Sequence, residues 1–190
     1  MRVGTDSLRL GTGFDVHRFA PDRALVLGGV RLRERDGLLG HSDADVLAHA
    51  IMDALLGAAG MDDIGRVFPD TDPGFAGADS MVLLASVARL LDENGWALVN
   101  VDAVVICEEP RIAPHREAML GRLAEAMGVD VKRVSLRGTT TEGLGFTGRG
   151  EGIGAQAVAL IQRAAVEERP AGQPEGQARV GLRQRPEERL

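Results

Sequence analysis

Aromatic side chains are nearly missing from this 190-residue chain: 3%, with five Phe, one Trp and no Tyr. A core without large rings must be filled by aliphatic and small residues. There is one cysteine, Cys107, so an intrachain disulfide framework is excluded and a reducing compartment fits. There is no basic excess: 22 Lys and Arg stand against 28 Asp and Glu, a net charge of −6. That balance argues against nucleic acid as a partner, which needs a basic footprint. Any phosphate ligand would have to be held by metal ions, backbone N–H groups and a few placed Arg or Lys. No apolar run approaches the roughly 20 residues that span a membrane, and no basic segment with an apolar stretch opens the chain. The expectation is a cytoplasmic protein with no membrane partner.

What the chain does have is alternating periodicity. LRLGTGFDVHRF (8–19) and RALVLGGVRLR (23–33) predict two strands joined by a turn at Pro21-Asp22. The following segment, 37–60, changes to helical rhythm, with Ser42 as N-cap, Asp43 and Asp45 in the first turn and Gly60 as the stop. A loop rich in Pro, Gly and Asp covers 61–80, and Asp79 caps a second helix that stops at Asn94-Gly95. WALVNVDAVVICEEP reads as a strand, APHREAMLGRLAEAMG as a third helix, and VKRVSLRGTTTEGLGF as a strand leaving into a loop. EGIGAQAVALIQRAA has enough Ala for a helix, but Ile153, Ala155, Ala157, Ala159 and Ile161 alternate, which favours a strand.

These elements predict an α/β domain, an α+β two-layer sandwich with a mixed sheet of about four or more strands and three main helices on one face. Residues 9–166 read as one domain and 1–8 as a flexible N-terminus. Residues 167–190, rich in Pro, Gly, Gln and balanced Arg and Glu, read as a disordered tail.

Candidate chemistry begins with Asp15-Val16-His17. On a strand, residues two apart share a face, so Asp15 and His17 converge. His49, on the first helix, has Asp45 and Asp53 at i−4 and i+4. A histidine beside carboxylates either has a raised pKa or is a metal ligand with its ring fixed by an acid. Two histidines and a carboxylate leave a fourth position open, as in catalytic zinc sites and in the non-haem iron triad. A strand-end salt bridge and a helix surface pair account for the same spacing, and both readings stay open here. His41 lies beside the helix start, where anions bind.

RGTTTEGLGFTGRGEG (137–152) has three threonines, an acid and five glycines from Gly143 onward. Its hydroxyls and N–H groups suit phosphate oxygens, and Glu142 suits Mg²⁺. Arg149 either adds charge or pairs with Glu151. No GK[ST] is present, so this is not a Walker loop. Asp70 and Asp72 in FPDTDP are either Asx-turn formers or acceptors for sugar hydroxyls.

GTGFDVHRF, LGGV, GHSDADVLAHAIMDALLGAAGMDDIGRVFPDTDP, NVDAVVICEEPRIAPH and RGTTTEGLGFTGRGEGIGAQAVAL occur in order across residues 8–165. Together they resemble the 2-C-methyl-D-erythritol 2,4-cyclodiphosphate synthase family of the non-mevalonate isoprenoid pathway. The resemblance implies a lyase. Its substrate is 4-diphosphocytidyl-2-C-methyl-D-erythritol 2-phosphate, whose 2-phosphate attacks the β-phosphorus and releases CMP. It implies zinc on Asp15, His17 and His49, and Mg²⁺ or Mn²⁺ on Glu142. It assigns His41 and Thr140 to the transition state and Ser42 to substrate contact. Further substrate contacts are implied at Val16, at Asp63, Ile64 and Gly65, and at Phe68, Pro69, Asp70, Thr71 and Asp72. Cytidine recognition is implied for Cys107, Glu108, Glu109, Pro110, Arg111, Ile112 and Ala113, followed by Thr139, Thr141, Phe146 and Arg149. The family forms homotrimers with sites between subunits. This chain departs from the pattern at the acidic Glu108-Glu109 pair and at Arg111, where the family carries Lys. An iron oxygenase and a non-catalytic nucleotide-binding module are the rival readings.

Overall fold

The computed structural model describes residues 7–69, 71–75 and 77–164. The tail at 167–190, most of the N-terminal stretch at 1–8, and Asp70 lie outside the described residues; Leu8 already belongs to the first strand.

Among the described residues, seven strands and five α-helices follow in chain order. They are β1 (Leu8–Ala20), β2 (Leu25–Leu27), β3 (Val30–Arg33), β4 (Gly37–Leu38), α1 (Val46–Ala59), α2 (Ile64–Val67), α3 (Ser80–Glu93), β5 (Trp96–Ile106), α4 (Arg116–Met127), β6 (Val134–Thr139), α5 (Gly145–Gly148) and β7 (Gly152–Arg163). The main sheet has five strands in the order β4-β1-β7-β5-β6. Only β5 and β6 run parallel; the other pairs are antiparallel. The alternating 153–161 stretch is a strand as predicted, and it is the central one.

Two expectations are corrected. RALVLGGVRLR is not one strand but a hairpin of β2 and β3, because Gly28 and Gly29 both adopt positive φ (55° and 70°) and turn the chain. The cap of α1 is Asp45, whose side chain accepts from Ala48 N, so Ser42 lies outside the helix. Ala44 at φ 58° makes the left-handed turn just before that cap. Gly60, Asp79, Asn94 and Gly128 end or begin their helices as predicted.

The two sheet faces differ. On the helix side, Gly11, Ala159 and Val101 align across three strands, followed by Gly13, Ala157 and Ala103. The three main helices pack on this side, and the scarcity of aromatics is met by Ala, Leu, Ile, Val and Met. Glycine on β1 is required by close approach: a Cβ on Gly11 would lie 2.1 Å from the Ala54 carbonyl oxygen, and on Gly13 2.0 Å from that of Ala50. The backbone of α1 therefore rests directly on β1. The opposite face carries Leu8, Leu10, Phe14 and Val16, all exposed, with Leu10 aligned to Leu160 and Phe14 to Gln156.

Candidate functional site

Because β1 and β5 are each antiparallel to β7, and β6 is parallel to β5, the C-terminal ends of β1, β5 and β6 lie at one edge of the sheet. The residues singled out in the sequence collect at that edge. Asp15 and His17 continue the Gly11-Gly13 side of β1. His49 directly precedes Ala50, the residue pressed on Gly13, so the helix delivers its ring to the two strand side chains.

Asp15 Oδ2 lies 3.0 Å from His17 Nε2 and 3.0 Å from His49 Nδ1, and the two nitrogens are 3.2 Å apart. A tetrahedral ion with bonds of about 2.0–2.1 Å separates its ligands by about 3.3 Å, so this triangle is close to the size a metal needs. Each ring turns its other nitrogen to the protein. His17 Nδ1 is 2.6 Å from the Leu39 carbonyl, and His49 Nε2 is 3.1 Å from Ser42 Oγ and 3.2 Å from Ser80 Oγ. A carbonyl can only accept, so His17 carries a proton on Nδ1, and Nε2 is the nitrogen that faces Asp15 and the cluster. Burial raises the Asp15 carboxyl, but hydrogen bonds from both rings and their charge outweigh it and hold it well below the usual carboxylate range. For His17, burial acts downward, but the bond and charge of Asp15 and the Leu39 carbonyl win and raise it.

The acids placed beside His49 by helical spacing do not reach its ring. Asp45, fully buried, accepts from Gly28 N, Gly29 N and Ala48 N and so holds the β2–β3 turn. Burial, opposed by the Gly29 N–H but helped by the nearby charge of Asp43, pushes its carboxyl up to about 6. Asp53 accepts from Ile64 N and thereby ties α2 to α1.

His41 and Ser42 line the same cavity of about 280 Å³ as the triad, with Ile64, Gly65 and Phe68. Phe68 meets Phe75 edge to face at 5.3 Å. Asp63 caps α2 through Arg66 N, and Asp72 accepts from Gly74 N, the Asx-turn geometry. Pro69 and Thr71 flank Asp70 in the same connection. The Val16 side chain is on the far face of the sheet; its N–H donates to Asp15 Oδ1 at 2.8 Å.

A second cavity, about 500 Å³, opens beyond β5 and β6 and is lined by Cys107, Glu108, Pro110 to Ala113, Gly138, Thr139 and Thr140. Cys107 is buried, its thiol pushed up to about 11 by burial and the charge of Glu108, and Sγ contacts the Pro110 carbonyl. A thiol so held in its protonated form is a poor nucleophile. Glu109 turns outward toward Arg33 at 3.7 Å. Glu108 instead ties down the threonine loop: its Oε1 accepts from Thr141 N at 3.1 Å and Gly143 N at 3.2 Å. Between those two amides stands Glu142 at φ 53°, a strained position for a non-glycine residue. Thr140 Oγ1 donates to Glu142 Oε1 at 2.7 Å, and Thr141 Oγ1 is 2.9 Å from Thr147 Oγ1. Phe146 is part-exposed on α5, a helical turn inside what the sequence presented as loop. Arg149 pairs with Glu151 at 2.6 Å.

The triad cavity and the threonine cavity do not merge within one chain. β1 and β6 are separated by β7 and β5, three strand spacings or roughly 14 Å. A larger cavity, about 660 Å³ near Trp96 at the opposite end of β5, holds none of these groups, so chemistry rather than size identifies the site. Sequence reasoning missed three supports. They are the Glu108 anchor, the Ser80 hydroxyl behind His49, and Arg23, whose guanidinium donates to the carbonyls of Gly40 and Ser42 on either side of His41. Each acts across a long sequence separation, and no local spacing signals it.

Comparison with known proteins gives one answer. The YgbB family model matches residues 8–162. A 2-C-methyl-D-erythritol 2,4-cyclodiphosphate synthase from Rubrobacter xylanophilus is 64% identical over 159 residues, 82% of this chain and 96% of that protein. Among solved structures, the bifunctional IspDF of Campylobacter jejuni superposes with a TM-score of 0.79 at 42% identity, over 82% of this chain but only 42% of that longer protein. IspF of Plasmodium falciparum in complex with CDP superposes with a TM-score of 0.74 at 30% identity, over 85% of this chain and all of the other. The chain belongs to the YgbB family, that of the 2-C-methyl-D-erythritol 2,4-cyclodiphosphate synthases it matches.

Proposed function

We propose that this chain is a metal-dependent phosphorus–oxygen lyase of isoprenoid precursor biosynthesis. It converts 4-diphosphocytidyl-2-C-methyl-D-erythritol 2-phosphate to 2-C-methyl-D-erythritol 2,4-cyclodiphosphate and CMP. The observation that carries this reading is the Asp15–His17–His49 triangle facing His41 and Ser42 in one cavity. Its donor set, two imidazoles and one carboxylate, fits zinc with one position open. Glu142, on a loop of hydroxyls and amides, suits Mg²⁺ or Mn²⁺. When bound, these ions supply template and Lewis-acid chemistry to the phosphate oxygens.

The protein's own residues do the rest by positioning. The attacking 2-phosphate is already an anion, so no strong base or protein nucleophile is required, and the inert Cys107 agrees. His41, exposed beside the triad, and Thr140, at the rim of the second cavity, offer donors for the charge on the transferring phosphorus. Ser42, the Asp63–Gly65 turn and the Phe68–Asp72 connection hold the methylerythritol end. The cavity of Cys107 to Ala113 with Thr139 takes the cytidine, Arg111 supplying the cation. Phe146 on α5 and Arg149 just after it, outside the cavity lining, are further substrate contacts in this reading. Residues 9–166 form the catalytic domain, and the chain works in the cytoplasm.

The assembly is a homotrimer with each site shared by neighbours. Two features support this. The triad and the cytidine cavity stand three strands apart along one edge of the sheet, and the helix-free face leaves Leu10 and Phe14 in solvent, 65% and 57% exposed. Phosphorus NMR of protein, Zn²⁺, Mg²⁺ and the cytidine substrate tests the activity: CMP and a cyclic diphosphate should appear together. CMP binding without turnover would instead leave a nucleotide-binding module.

A further inference from the structure

His49 is gripped from behind by a chain of buried groups that its own helix does not supply. Its Nε2 lies 3.2 Å from the hydroxyl of Ser80, the first residue of α3, which has no solvent exposure. That hydroxyl donates to Asp43 Oδ1 at 2.5 Å, and Ser80 N donates to Asp43 Oδ2 at 3.0 Å. Asp45 N adds a third donor to the Asp43 carboxylate, on Oδ1. A carboxylate so surrounded only accepts, and a serine hydroxyl has a single proton. With that proton committed to Asp43, the Ser80 oxygen faces His49 as an acceptor. That oxygen calls for a proton on Nε2, which makes Nδ1 the nitrogen left to ligate a metal beside Asp15 and His17.

The loops that carry this chain are themselves joined. Asp43 N donates to the Ala78 carbonyl and Gly77 N to the His41 carbonyl, so two backbone hydrogen bonds tie the turn before α1 to the turn before α3. Ser42 Oγ also lies near Nε2, at 3.1 Å, but it takes the Ala44 N–H, and no carboxylate hydrogen bond stands behind it.

We infer that Asp43 and Ser80 are positioning residues for the metal centre: a carboxylate–hydroxyl relay that fixes the His49 ring and its tautomer and raises its strength as a ligand. This rests on the reading of Asp15, His17 and His49 as metal ligands. Partners of this kind, when removed, weaken metal binding by roughly 10–100-fold.

The test is zinc affinity by chelator competition on the full-length protein, together with the visible spectrum of the Co²⁺-substituted form. Ser80→Ala and the isosteric Asp43→Asn should each weaken zinc binding by roughly 10–100-fold and alter the Co²⁺ bands, with circular dichroism confirming the fold. Ser42→Ala should stay closer to the wild type. Wild-type affinity and spectra in both Ser80→Ala and Asp43→Asn would overturn the relay while leaving the metal site intact. A loss confined to Ser42→Ala would overturn it too, by assigning the role to the other hydroxyl. A wild-type protein that takes up no zinc, like His49→Ala, would instead remove the metal-site reading itself and the relay with it.

Discussion

Gly13 of β1 lies beneath Ala50 of α1 so closely that a Cβ on the glycine would sit 2.0 Å from the Ala50 carbonyl oxygen. This contact sets the height of α1 above the sheet, and with it the distance from His49 to Asp15. Gly13→Ala should therefore destabilise the protein by about 1–3 kcal/mol or more, the cost of overpacking against backbone that cannot yield. It should also weaken zinc binding, although Gly13 is not a ligand. Denaturant unfolding and zinc competition check this; an unchanged midpoint with full affinity would contradict it.

His49→Ala should lose zinc and activity together, because Nδ1 is one corner of the triangle. His41→Ala should keep zinc and lose mostly kcat, since His41 shares the cavity without joining the cluster. Metal analysis beside steady-state kinetics separates the two. An emptied metal site in His41→Ala would reverse the division of roles.

Glu108→Ala removes the acceptor that pins both amides flanking Glu142. A charged acceptor of this kind contributes about 1.5–3 kcal/mol. The expected result is a fall of about tenfold or more in kcat/KM, with a higher Mg²⁺ requirement and unchanged zinc content. Glu108→Gln, which keeps one oxygen, should recover much of the loss. An unaltered Mg²⁺ titration in Glu108→Ala would deny the loop this anchor.

Asp45 gives a pH dependence with a definite sign. Its carboxyl is raised from 3.8 to about 6 by burial, so the folded state binds the proton more tightly than the unfolded state. Stability should therefore fall as pH rises from about 4 to about 6, and level off above that range. Asp45→Asn should abolish this slope. It should also cost stability, because the amide N–H₂ would face the Gly29 donor or, flipped, the Gly28 and Ala48 donors. Thermal unfolding of both proteins across this range, with metal removed, makes the comparison; parallel slopes would exclude Asp45 as the source.

Phe14→Glu places a charge on the exposed apolar face of β1 while leaving the helix side untouched. Light scattering should then report a monomer for Phe14→Glu and the proposed trimer for the wild type. Activity should fall with assembly, because the two cavities of one chain stand apart. A fully active monomer would remove the shared-site reading.

Much of the fold was legible because its signals are local. Period-two alternation marked β7 despite its alanines, and Asp79, Asn94 and Gly128 marked helix ends by chemistry that acts within a turn. Local rules failed where a distant group decided. Ser42 is a good cap residue, but Asp45 takes the position while Asp43 is drawn to Ser80, 37 residues on. The one-strand reading of 23–33 failed because Gly28-Gly29 turns back and Asp45 accepts both of its amides.

The sequence alone determined the order of the long strands and the three main helices, the shared face of Asp15 and His17, and the motifs that carry the family resemblance, since each depends on neighbours along the chain. The tertiary structure decided the rest. It set which atoms of Asp15, His17 and His49 meet, turned Glu108 into a loop anchor, and put Asp43 and Ser80 rather than Asp45 or Asp53 behind His49. The reason is physical: a hydrogen bond is fixed by where two groups come to rest in space. That is set by how closely α1 can lie on two glycines of β1, not by any spacing within either element.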